Sequence, residues 1–180
     1  MHFKMEFQRG QVVNFKWKDS AINKAVLIYN KIVYGEEGFT HSGIITDTRK
    51  NTVEICEAIK RGFIRSDYSK EWIENKIKEG IISVGTPKPK LTYVQYNALQ
   101  YENLPYSYWD LINIFLIKVF GKSSINFSGP KQLICSEAVA RVLYDSSNKK
   151  LNLAEEFNKA YDLITPMDLY VSNQIEWEKL

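Results

Sequence analysis

Two β-rich runs constrain this chain most: "HSGIITD", beginning at His41, and "TVEICEAI", beginning at Thr52, with the polar turn "TRKN" between them. Runs of β-branched residues on either side of a short polar turn read as an antiparallel hairpin. Side chains alternate between the two faces of a strand, so fixing one cross-strand pair fixes the face of every other residue. With the turn centred so that Thr46 faces Thr52, His41 stands directly across from Glu57, a separation of ~4.5–5.5 Å between Cβ atoms. Glu54 then falls on the other face.

More strands are expected around this hairpin. "GQVVNFKW" (Gly10 to Trp17) can open the sheet, "GFIRSD" after Arg61 can extend it, and "IISVGTP" and "QIEWEKL" read as later strands. Helices are expected between them. Ser20 can cap one that Gly35 stops, with Ile22, Val26, Ile28 and Ile32 or Val33 as its apolar stripe. "SKEWIENKIKEG" has a serine cap and a terminal Gly80, and Thr92 with Gln95 fits a capping box for a helix running toward Pro105. "WDLINIFLIKVFG", from Trp109 to Gly121, reads as a buried helix: it is shorter than the ~20 apolar residues of a membrane span and contains Asp110, Asn113 and Lys118. In "LICSEAVARVLYDSS", Cys135, Val139, Val142 and Leu143 share a stripe, with Glu137 and Arg141 on the wet side. "NLAEEFNKAY" and "TPMDLYVS" each carry a cap residue, and Pro166 takes a first helical position.

The expected class is therefore α+β, in one catalytic domain spanning 1–180, with no repeat or linker to divide it. The chain is 44% hydrophobic and 25% charged, the balance of an ordinary globular protein. Its net charge of +3 comes from 24 basic and 21 acidic residues that are scattered rather than clustered, which argues against nucleic acid as a partner. "MHFKMEFQRG" lacks the apolar core of an export signal, so the expected address is the cytoplasm. Cys56 and Cys135 are then expected to be reduced. The two cysteines and two histidines have no metal-site spacing, and neither metal nor cofactor is expected.

Cys135 lies in the first turn of its helix, where unpaired amides and the helix dipole favour a thiolate. Taken alone it reads equally as a small apolar residue on a buried stripe. A thiol nucleophile needs a general base, and the chain offers only His2, at the terminus, and His41, at a strand start. Glu57, facing His41 across the hairpin, can orient the imidazole and hold its tautomer. Gly43, the next residue on the face of His41, leaves space where a substrate would approach.

The ordered set "THSGIIT", "EICEAIKRGF", "YSYWDL", "LICSEAVARVLY" and "TPMDLY" resembles the YiiX/YebB-like branch of the NlpC-type papain-like cysteine peptidases. That resemblance runs from about Gly10 to about Tyr170. It implies a circularly permuted papain-like fold, an antiparallel sheet or partial barrel packed on helices, with the histidine ahead of the cysteine in the chain. It implies Cys135 as nucleophile, His41 as base and Glu57 as orienting group, with Tyr106 or Tyr108 bordering the site. The implied activity is acyl-enzyme hydrolysis of amide bonds in small peptides, such as cell-wall muropeptides or γ-glutamyl peptides. A thiol acyltransferase or lipase-like enzyme acting on lipid esters, as in the lecithin retinol acyltransferase group, is one alternative. A binding module without turnover is a second, and a structural or interaction protein, in which Cys135 would have an unremarkable thiol, is a third. One departure is visible: relatives begin with a Gly-Asp pair, and here Gly10 is followed by Gln11.

Overall fold

A computed structural model of the chain describes residues 5–107 and 133–178. Its centre is a six-stranded antiparallel open sheet in the order β4-β3-β2-β1-β5-β6. The strands are β1 (Val12–Phe15), β2 (His41–Thr48), β3 (Thr52–Ile59), β4 (Gly62–Ser69), β5 (Ile82–Pro87) and β6 (Ile175–Trp177). The helices among the described residues are α1 (Ala21–Tyr34), α2 (Lys70–Lys78), α3 (Val94–Leu99), α4 (Cys135–Ser146), α5 (Leu153–Glu156) and α6 (Pro166–Val171), with a 3₁₀ turn at Tyr161–Leu163. No helix among the described residues is long and apolar enough to cross a membrane. The expected helix at Trp109–Gly121 lies outside the described residues.

Period-two alternation divides the core in two. Val12, Ile44, Cys56 and Ala58 face one way, onto Ala138, Val139, Val142 and Leu143 of α4. Val13, Phe15, Ile45, Val53, Ile55, Ile82 and Val84 face the other, onto Ile73 and Ile77 of α2. Local sequence closes the elements as expected at several ends. Ser20 accepts from the Asn23 amide, Gly35 takes φ 81° past α1, and Ser69 accepts from the Trp72 amide. Thr165 and Asp168 form a reciprocal capping box around Pro166.

Three local expectations give way. On α1 the stripe is not Ile28, Ile32 and Val33, which are exposed; Leu27, Tyr29 and Asn30 turn inward instead. The reason is polar: the Asn30 amide nitrogen donates to the carbonyls of Glu37 and Phe39, fixing that face against the chain that enters β2. Thr92 forms no capping box, because its amide donates to the Ser146 carbonyl at 2.8 Å, leaving Tyr93 at φ 55° as the cap of a helix that ends at Leu99. Glu137 is buried rather than wet, and Arg141, which lies over the Tyr161 ring, donates to it at 2.9 Å.

The hairpin register also differs. Arg49 donates to the Thr52 carbonyl and Thr48 faces Val53, a tighter turn than expected. Continued without interruption, that pairing would set Glu57 against Ile44 and send His41 to the opposite face. An irregularity between Ile45 and Asp47 absorbs one residue of β2, and beyond it Gly43 faces Glu57. Thr46, at the irregularity, donates its hydroxyl to the buried Glu54 carboxylate at 2.8 Å. The net slide from the expected register is two residues, so His41 and Glu57 keep their shared face while losing their direct opposition.

Candidate active site

The β2–β3 ladder stops at Gly43 and Glu57, and His41 and Ser42 are paired with Phe15 and Asn14 of β1. The N-terminus of α4 packs against β2. This brings Cys135 from the helix layer to His41. Both are covered by protein, at 2% and 9% exposure.

His41 Nε2 donates to Glu57 Oε2 at 2.7 Å, a diagonal contact across the side-chain-free Gly43. The Cys135 side chain lies beside the same ring, and its charge acts directly on it. The three groups thus form a chain, carboxylate to imidazole to thiol. Backbone amides of Ser42 and Ser136 are directed at the Cys135 sulfur. The Cys135 amide, at the first helical position, has no intrahelical acceptor.

The electrostatics follow from these contacts. Burial alone would raise the Cys135 pKa, but the charge and hydrogen bond of His41, with the two amides, bring it below its ordinary value. Burial alone would lower that of His41, but the Cys135 charge and hydrogen bond, and then Glu57, raise it to about 10. Glu57, 3% exposed, would likewise be raised by burial. His41, Ser66 and Tyr68 hold it below the usual carboxylate range. The favoured state of the pair is thiolate and imidazolium.

Anchors around the triad are hydrogen-bonded too. Ser42 Oγ donates to Asn14 Oδ1 at 2.6 Å, and Asn14 Nδ2 donates to the Pro166 carbonyl at 3.0 Å. Ser136 Oγ donates to the Ile164 carbonyl at 2.6 Å. The carbonyls of Ile164 and Pro166 therefore tie the first turn of α4 and, through Asn14, the start of β2 to the same stretch of chain. Sequence reasoning missed Asn14, Ser42 and Ser136, although a polar Asn inside the apolar run "VVNF" is a visible sign of a buried hydrogen-bonding task.

The other expected site residues fare differently. Gly43 does not border open space: a Cβ there would meet Ile55 Cγ2 at 2.5 Å, the Cys56 carbonyl oxygen at 3.2 Å and Glu57 Cβ at 3.4 Å. Its missing side chain is used inside the sheet, where Glu57 passes. Tyr106 packs partly buried against the helix-side core, and its backbone bridges Leu133, two residues before Cys135. Tyr108 lies outside the described residues. Gln11, which follows Gly10 where the resembled pattern has Asp, receives the Gln8 amide and donates to Thr86, a role within the sheet's own packing. A groove of about 1240 Å³, with Phe39, Tyr170 and Trp177 among its lining, includes none of the triad. Both cysteines are free, and no cluster of three or more metal-type ligands occurs among the described residues. Comparison with known proteins finds no matching family model, curated protein or solved structure.

Proposed function

We propose that this chain is a cysteine hydrolase of the permuted papain-like type, with Cys135 as nucleophile, His41 as base and Glu57 as orienting group. The observation that carries the reading is the buried line of groups from Glu57 Oε2, hydrogen-bonded to the His41 ring at 2.7 Å, to the Cys135 thiol that interacts with that ring at a helix start. A structural histidine could satisfy one carboxylate. It would not also need a depressed thiol beside its ring.

In the proposed reaction the Cys135 proton resides on His41, and the thiolate attacks a substrate carbonyl carbon. The oxyanion is received by backbone donors at the head of α4, the Cys135 amide among them. His41 gives its proton to the leaving amine as the C–N bond breaks, leaving a thioester on Cys135. Water, deprotonated by His41, then hydrolyses the thioester and restores the thiol. Amide bonds of small peptides, including muropeptides and γ-glutamyl peptides, are the proposed substrates, on the strength of the sequence resemblance.

Incubation with a panel of muropeptides, γ-glutamyl peptides and phospholipids, read by mass spectrometry of the intact chain, tests this. A peptidyl acyl adduct on Cys135 that forms and decays is the expected outcome. A stable fatty-acyl adduct would move the substrate class to lipid esters. No adduct with any member, and no faster reaction of Cys135 than of Cys56 with iodoacetamide, would overturn the enzyme reading.

A further inference from the structure

The Glu57 carboxylate has two oxygens and divides them between two elements. Oε2 holds His41 on β2, and Oε1 receives the Tyr68 phenol of β4 at 2.8 Å. Ser66, also on β4, helps to stabilise the charge of the same carboxylate. These groups account for what faces Glu57: the imidazole from β2, and a hydroxyl and a phenol from β4. A carboxylate at 3% exposure has almost no water to complete its coordination, so its orientation is set by these donors.

Tyr68 is itself held by ring contacts. It stacks on Trp72 at 5.2 Å and tilts against Phe15 at 6.3 Å. Trp17 closes the circuit, stacking on Phe15 at 5.4 Å and meeting Trp72 at 6.2 Å. Phe15 in turn lies 5.4 Å from the His41 ring. Four rings, Phe15 of β1, Trp17 just beyond it, Tyr68 of β4 and Trp72 of α2, thus form a closed set beside His41 and Glu57. Such a wall keeps water from that side of the pair and strengthens each charge-assisted bond within it.

We propose that Tyr68 is a positioning residue of this site: its phenol fixes the Glu57 carboxylate so that Oε2 stays on His41, extending the triad to a fourth group. The role rests on the reading of Cys135, His41 and Glu57 given above. Glu57 keeps its negative charge in a dry setting partly because Tyr68 donates to it. That charge supports the imidazolium, and the imidazolium supports the Cys135 thiolate. Burial and the Glu57 charge raise the Tyr68 pKa, so the phenol keeps its proton and remains a donor.

Tyr68→Phe keeps the ring and removes only the donor. Site-resolved alkylation of the full chain by iodoacetamide is expected to show the Tyr68→Phe lower limb displaced to higher pH, with Cys135 about 3- to 10-fold slower at pH 6.5. In a Glu57→Gln background the same change is expected to add nothing. A second readout does not depend on the thiol: in Cys135→Ala protein, the His41 imidazole proton resonance is followed with pH, and Tyr68→Phe is expected to lower its midpoint. An unchanged midpoint overturns the proposal whatever Cys135 does. An equal displacement with and without Glu57 overturns it as well, since Tyr68 would then act by another route. Slow labelling of wild-type Cys135 would instead count against the hydrolase reading, while the midpoint still decides the role of Tyr68.

Discussion

Cys56 and Cys135 are a natural pair of controls inside one molecule. Each is 2% exposed, each packs in the same helix-side core, and neither is oxidised. Burial drives the Cys56 thiol up to about 11, with the Thr46 hydroxyl as its hydrogen-bond partner at 3.5 Å. Cys135 suffers the same burial and ends below its ordinary value, because a cationic imidazole and two amides meet its sulfur. Cover alone therefore raises a thiol in this chain, and charge placed by the fold reverses the effect.

The largest way to break the contrast is to remove the cation. His41→Ala is expected to slow Cys135 alkylation at pH 6.5 roughly 10²-fold, toward the rate of Cys56, and to lower any hydrolytic turnover by roughly 10²–10⁴-fold. Site-resolved mass spectrometry of the two cysteine peptides reads the first effect, and Cys56 should be unmoved. A smaller, structural test uses Gly43→Ala. The new methyl would press on Ile55 and Glu57, costing about 1–3 kcal/mol of stability by denaturant unfolding. It should also slow Cys135 by displacing Glu57, while the unfolding slope stays constant. Loss of stability with an unaltered Cys135 rate would show that Glu57 is not needed where the hairpin holds it.

How much of this was legible in the sequence depended on how local the cause was. Ser20, Ser69 and Thr165 cap helices because each sits three residues before the amide it serves, and such short-range chemistry reads directly. The pairing of His41 with Glu57 was legible through the alternation of the strands. Its register was not, because a tight turn and an irregularity at Thr46 each shift the ladder. Only their combined even slide kept the two side chains on one face. Tyr68 was out of reach altogether: it stands opposite Val53, four positions along β3 from Glu57, and reaches back along the strand. On α1, hydrophobicity pointed to Ile28 and Ile32, whereas the buried face was chosen by what Asn30 could bond outside its own helix.

The signs of the shifts define the pH behaviour. Glu57, lowered from 4.5, contributes stability that is present above that value and fades as pH falls through its lower folded pKa. His41, raised from 6.5 to about 10, contributes stability that is complete below 6.5 and is lost as pH rises through about 10. Cys135, lowered from 9.0, carries its charge from below that value upward. The thiolate–imidazolium pair therefore occupies the interval between the lowered Cys135 value and about pH 10.

The most direct test is the pH profile of iodoacetamide alkylation at Cys135 and Cys56, followed peptide by peptide in the same folded sample. Equal cover makes the difference a reading of thiolate character rather than of exposure. The account predicts that Cys135 reacts on a plateau that begins below the ordinary thiol range and continues toward pH 10, while Cys56 stays slow until the pH approaches 11. Two superimposed curves, both rising only above pH 9, would contradict it.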